Sequence, residues 1–215
     1  MLFDGKIEIV ILDFDGVIVE SNDIKDRVFD ELFKRFPEQY EAALNYHRTH
    51  VSVSRFQKFD FLLAQLGRTD DAVLRRQLLE EFSSLTLEKM KNVSFVNGAV
   101  DFLKTMKPHY PLYLASVTPI HDLEIILDHL QIRSYFKNVY GCPPWTKIDA
   151  VYDILSKENS SAQNAVLIGD SYGDQRTAFQ TGVHFIARQS GLHFDDPQPE
   201  ISVDDLNGLA NLFLN

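Results

Sequence analysis

Acidic residues in this chain recur directly after short apolar runs. Asp13 and Asp15 follow the run at 7–12, Asp170 follows closely on the run at 165–168, and Asp174 lies four residues further on. Four carboxylates gathered in one place repel one another, and at least one would hold its proton unless a cation compensates. Hard oxygen ligands, with no thiol or imidazole among them, favour Mg²⁺ over Zn²⁺, and Mg²⁺ completes its shell with water and substrate phosphate. If Asp13 and Asp15 remain extended, their side chains share one side of the chain about 7 Å apart, a gap that suits a phosphoryl group. One carboxylate would attack phosphorus while the other protonates the oxygen leaving on the far side. Polar residues stand at comparable places elsewhere: Ser116 and Thr118 after the run at 112–115, and Lys147 at the opening of a helical stretch.

Elements must bring these residues together. The β-branched run at 7–12 reads as a buried strand that ends at Asp13-Phe14-Asp15-Gly16. From 22 to about 91 the periodicity is helical, with Ile24, Val28, Leu32 and Phe36 on one face and Val73, Leu74, Leu78, Phe82 and Leu85 on another. After Asn97, a suitable N-cap for a helix over 98–106, strands at 112–115, 139–140, 165–168 and 183–187 alternate with helices at 119–130, 146–157 and 175–181. A last helix is expected over 203–214. This order predicts an α/β fold, a parallel sheet covered by helices on both faces, with an all-helical insertion. The core domain is expected over 1–20 and 94–215 and the helical domain over 21–93. In open parallel sheets ligands bind outside the carboxyl ends of the strands, which lie about 4.8 Å apart, so the polar residues above can converge on one small ligand.

Composition narrows the function classes. The chain has 215 residues, with Lys plus Arg 21 against Asp plus Glu 31, a net charge of −10 that opposes nonspecific binding to nucleic acid or to an anionic membrane. An anionic substrate must therefore be met locally. The single Cys142 forms no intramolecular disulfide, and no Cys/His spacing fits structural zinc. The first residues, MLFDGKIEIVILDFDG, carry acids around and inside their apolar run, unlike a signal or transit peptide. No apolar run approaches the roughly 20 residues that span a bilayer. A cytoplasmic protein, monomeric or weakly dimeric, is expected, and the seven histidines are expected as surface or packing residues.

Asp13-Phe14-Asp15-Gly16-Val17, Ser116, Lys147 and Gly169-Asp170-Ser171-Tyr172-Gly173-Asp174, in that order, resemble the four motifs of the haloacid dehalogenase-like hydrolase superfamily. The helical insertion after the first motif looks like the C1-type cap of its phosphoglycolate phosphatase and β-phosphoglucomutase branch. The resemblance implies a Rossmann-like core and a Mg²⁺-dependent phosphatase acting on a small phosphomonoester. It implies Asp13 as the nucleophile that becomes an aspartyl-phosphate, and Asp15 as general acid and then base. Asp13, the backbone carbonyl of Asp15 and Asp170 would hold Mg²⁺, with Asp174 binding it directly or through water. Ser116 and Lys147 would serve catalysis and, with Gly16, hold the phosphoryl group. The second motif runs Ser116-Val117-Thr118-Pro119, where many relatives have Asn or Gly after the hydroxyl residue; Ser116 is preferred over Thr118 because it directly follows the strand.

An acid at position 15 argues against dehalogenation, since departing halide needs no proton and a departing alkoxide does. Within the insertion, Ser54 is suited to cap a helix on which Arg55 and Lys58, three apart, share a face. By similarity to the cap loop of related phosphatases, both are expected to contact substrate. The rival readings are a phosphomutase that returns the phosphoryl group to a sugar hydroxyl, and a binding module that keeps the fold without catalysis.

Overall fold

The computed structural model describes residues 6–214, so the first five residues of the N-terminal segment lie outside the described part. In chain order, β1 (Ile9–Leu12) is followed by four helices, α1 (Asn22–Phe33), α2 (Tyr40–Thr49), α3 (Arg55–Gln65) and α4 (Ala72–Met90). Then come α5 (Ala99–Met106), β2 (Leu112–Ser116), α6 (Ile120–His129), β3 (Asn138–Gly141), α7 (Lys147–Glu158), β4 (Ala165–Gly169), α8 (Tyr172–Thr181), β5 (His184–Arg188), β6 (Ser202–Val203) and α9 (Asn211–Leu214). The chain divides into two units, one over Met1–Glu20 and Val93–Asn215, the other over Ser21–Asn92.

In the first unit the strands form one parallel sheet in the order β3-β2-β1-β4-β5-β6. The apolar runs explain why. Ile9, Ile11, Tyr113, Ala115, Ala165 and Leu167 face Ala150, Val151 and Ile154 of α7 and Ala178 of α8. The alternate residues Val10, Leu12, Leu112, Leu114, Val166 and Ile168 are equally buried, so the sheet is covered on both faces, as continuous apolar strands require. Each such side chain withdrawn from water contributes about 1.5–3 kcal/mol before the entropy of ordering is set against it. The chain order reverses across β1 and β4, the kind of switch point at whose carboxyl ends open α/β sheets bind ligands. Leu12 pairs with both Leu114 and Ile168, so Asp13, Ser116 and Asp170 leave the sheet along one edge.

Several boundaries differ from the sequence reading. Residues 203–214 do not form one helix: Val203 pairs with Arg188, the Asn207 amide turns back onto Asp205 Oδ1 at 2.8 Å, and Gly208 sits at φ +70. A local Asx turn and a left-handed glycine outcompete helix there, leaving only the short α9. Gly98, at φ +77, caps α5 in place of Asn97, whose amide donates to Asp205 Oδ2 at 2.9 Å. Helix α8 begins at Tyr172, earlier than periodicity indicates, because Ser171 and Asp174 form a capping box.

The second unit is helical throughout. Val28, Phe29, Leu32 and Phe33 of α1, Leu44 of α2, Phe59 and Leu62 of α3, and Leu78 and Phe82 of α4 form its core. Val73 is an exception to the expected face and is mostly exposed. Ser54 caps α3 as its position suggests, with Gln57 completing the box. No helix of the described residues is long and apolar enough to cross a membrane.

Candidate active site

Asp13 is the first residue beyond β1, and its amide donates to Ile168 of the neighbouring strand at 2.9 Å, so the sheet itself fixes where its carboxylate begins. Asp170 stands equivalently beyond β4. Asp174 is one helical turn into α8 and returns to the same place because Gly169 has no side chain: a Cβ at that position would overlap Asp174. Asp13, Asp170 and Asp174 are buried, and each offers a carboxylate oxygen within 4.8 Å of the others. Lys147, at the start of α7, reaches into this group. Its Nζ lies 2.9 Å from Asp13 Oδ1 and donates to Asp174 Oδ1. The other oxygen of Asp174 accepts from the Ser171 hydroxyl at 2.7 Å and from the Ser171 amide at 3.3 Å.

Asp15 is held differently. It opens a tight turn in which the Phe14 carbonyl accepts from the amides of Ile18 (2.9 Å) and Val19 (3.2 Å), while the Gly16 amide donates to Val19 (2.8 Å). Gly16 takes φ +72, a conformation a side chain would strain. Asp15 Oδ2 accepts from the Thr118 hydroxyl at 3.1 Å and, more weakly, from the Ser116 hydroxyl at 3.5 Å, while the Thr118 amide donates to Ser116 Oγ at 3.0 Å. Both hydroxyls of the second motif therefore converge on Asp15, and Thr118 makes the shorter contact. Its place beyond the strand end was visible in the sequence; that the chain turns back there was not.

Charge in this cluster is unevenly compensated. Burial pushes the Asp13 carboxyl well above its usual pKa; Lys147 pulls it down, and Asp174, Asp170 and Asp15 push it up again. For Lys147 burial works against the ammonium, but the charges and hydrogen bonds of Asp13 and Asp174 outweigh it and raise its pKa, so it stays protonated. One ammonium thus faces four acids. Asp13 Oδ1 is a buried oxygen whose close neighbour is the Lys147 ammonium, 2.9 Å away, with no further hydrogen-bond partner among the described residues. A buried oxygen with so little compensation among four carboxylates fits a hard divalent cation, which would offset the burial and mutual repulsion that raise the Asp13 pKa.

The helical unit holds the other two expected site residues, and there each has protein partners. Arg55 Nη1 donates to Ser83 Oγ at 2.9 Å, and its guanidinium lies 5.3 Å from the Phe82 ring centre. Lys58 is almost fully buried, with Nζ 2.9 Å from His47 Nδ1 and 5.0 Å from the Phe29 ring centre. His47 Nε2 in turn lies 2.8 Å from Asp26 Oδ1. If Nδ1 accepts from the lysine, Nε2 carries the proton and donates to Asp26. A histidine expected as surface or packing is thus the middle of a polar relay over α1, α2 and α3, a role no local pattern signals across 21 residues of separation.

A phosphoglycolate phosphatase of Pseudomonas fluorescens is 25% identical over 97% of this chain and 80% of its own length. Among solved structures, a predicted phosphoglycolate phosphatase from Haemophilus somnus superposes with a TM-score of 0.78 at 17% identity, over 97% of this chain and 99% of that one. A HAD-hydrolase from Bacillus subtilis bound to magnesium superposes with a TM-score of 0.70 at 15% identity, over 98% of this chain and all of that one. At such identities the superpositions speak for the fold alone. The family model for haloacid dehalogenase-like hydrolases matches residues 10–188, from β1 to the last residue of β5, and so takes in every strand end that carries the acidic cluster: the chain belongs to that family.

Proposed function

We propose that this hydrolase is a Mg²⁺-dependent phosphatase of small phosphomonoesters that works through an aspartyl-phosphate. The observation that carries the reading is the pairing of a buried ammonium with Asp13, while a second acid two residues on is held apart by hydroxyls. In this reading an Asp13 carboxylate oxygen attacks phosphorus, and the bond to the ester oxygen breaks as Asp15 gives that oxygen its proton. Asp15 then takes a proton from water, whose oxygen displaces Asp13 from phosphorus and releases inorganic phosphate. Lys147 offsets charge on Asp13 and on the phosphoryl oxygens, and Ser116 and the turn at Gly16 orient them. Asp13, the Asp15 carbonyl, Asp170 and Asp174 would hold Mg²⁺, which when bound supplies the positive charge that lets an anionic ester approach these carboxylates. The Pseudomonas relative, named for hydrolysis of a small phosphate ester, and the magnesium in the Bacillus neighbour support the same reading.

The test is phosphate release from a panel of small phosphomonoesters by the purified protein, with Mg²⁺ and with chelator. Release that requires Mg²⁺ and disappears in Asp13→Asn is expected. No release from any ester of the panel would remove the proposal.

A further inference from the structure

Arg188 closes β5 on the same edge of the sheet as the acids, yet it touches none of them. Its side chain is nearly buried, and each of its three guanidinium nitrogens donates a hydrogen bond. Nη1 donates to the Gly16 carbonyl at 3.1 Å and to Glu20 Oε2 at 3.1 Å, Nη2 donates to Glu20 Oε1, and Nε donates to the Asp204 carbonyl at 3.2 Å. Gly16 and Glu20 bracket the turn that follows Asp15. The far end of this turn is already tied to the returning chain, the Val96 amide donating to Ile18 at 3.0 Å and the Glu20 amide to Ser94 at 2.9 Å. The near end has less support. Gly16 is a glycine in the left-handed region, one residue from Asp15, and its carbonyl accepts from the guanidinium.

We propose that Arg188 is a positioning residue that fixes the Asp15 turn through the Gly16 carbonyl and so governs proton delivery to the leaving group. Stability alone does not call for an arginine here, because a buried guanidinium is expensive to desolvate and an apolar side chain at a strand end serves packing as well. What the arginine adds is its planar fork, which can serve a carboxylate and two separate carbonyls at once; a lysine cannot. Without it the buried Gly16 carbonyl loses its guanidinium donor, and the turn beside Asp15 is left with the Gly16 amide on Val19 at 2.8 Å and the longer Val17 amide contact on Phe14 at 3.4 Å, so it can shift and carry Asp15 with it. Thr118 and Ser116 would still hold the Asp15 carboxylate from the other side, so the effect is a misplaced acid rather than a lost one.

The inference rests on Asp15 being the general acid, and its test separates the two. The value of kcat/KM reports steps up to departure of the leaving group, so it is compared for an alkyl phosphate, whose leaving oxygen needs a proton, and for dinitrophenyl phosphate, whose leaving group does not. In Arg188→Met we expect a fall of about 10- to 100-fold on the alkyl ester and a change within about twofold on the aryl ester. Asp15→Asn should show the same selectivity, only larger. Arg188→Lys, which keeps the charge, gives the same readout if Arg188→Met does not fold, with a selective fall of about tenfold. Equal losses on both esters, or no loss on either, in a variant with wild-type circular dichroism would overturn the role of Arg188. An unselective Asp15→Asn would instead remove the acid assignment on which it rests.

Discussion

Among the described residues two lysine side chains are withdrawn from solvent, Lys58 in the helical unit almost wholly and Lys147 in the sheet unit to about 10% exposure, and their surroundings drive them in opposite directions. Lys147 contacts two carboxylates directly, and although burial disfavours its charge, Asp13 and Asp174 hold it protonated. Lys58 meets an imidazole instead, with its carboxylate one residue further along the relay, and burial, reinforced by Lys25, pushes its pKa down to about 7. Desolvation is common to both. What differs is whether a negative charge lies in contact or behind a neutral ring. The contrast suits the roles proposed here: a phosphoryl site needs a permanent cation, whereas the helical relay joins three helices without requiring one.

The comparison breaks most severely at Asp13. Asp13→Asn removes the proposed nucleophile and one of the two charges on Lys147, and turnover should fall by at least about 10³-fold, read as phosphate release under saturating substrate. Lys147→Met is expected to cost about 10²- to 10³-fold in kcat, comparable to losing a principal charge stabiliser, and also to lower the urea midpoint because it leaves buried carboxylates unpaired. If Lys147→Met proved more stable than wild type without Mg²⁺, the ammonium would not be what holds the acidic cluster together. Mg²⁺ sharpens the contrast without any turnover. At about 100 times its dissociation constant it should stabilise wild type by about 2.7 kcal/mol, seen as a rise in unfolding temperature. Asp170→Asn should lose most of that rise. A helical-unit variant such as Lys58→Met should keep it.

The same contrast between strand-end contacts and contacts across helices governs what the amino-acid sequence reveals. Asp13, Asp170 and Asp174 were legible because strand ends are punctuated by chain chemistry: an apolar run stops, a glycine follows or precedes, and an acid stands beside it. Lys147 was legible for a similar reason, at a helix start after a short strand. Strands β1 to β5 were legible within a residue or two because continuous burial leaves a continuous apolar run, whereas β6 was not. What escaped were contacts set by three-dimensional return. Val203 was absorbed into a helix because its pairing with Arg188 is invisible locally. Arg188 lies one residue beyond the strand expected at 183–187, and its bond to the Gly16 carbonyl joins residues 172 apart, which no local pattern signals. The Asp26, His47 and Lys58 relay joins residues from three helices with ordinary surface spacing, and only the packing of α1 to α3 makes them neighbours.

The relay also carries the finest test of the comparison, a dependence of stability on pH. The folded pKa of Lys58, about 7, lies below that of an unfolded lysine, near 10.4. Between these values the unfolded chain binds the additional proton, so this residue makes stability rise with pH across that window and leaves it flat below about 7. The groups that bear on it are His47, Asp26 and Lys25, with Arg48 acting on His47. His47 is itself lowered by burial against the pull of Asp26, so it titrates below the window and does not mask the slope. Urea unfolding at pH 7 and pH 9 should therefore show wild type gaining about 1–2 kcal/mol more than Lys58→Met over that interval. The variant should also be the more stable of the two at pH 7, the reverse of the effect expected at Lys147. Equal pH slopes in the two proteins would mean that Lys58 stays charged in the fold, and the two buried lysines would then differ in partner but not in state.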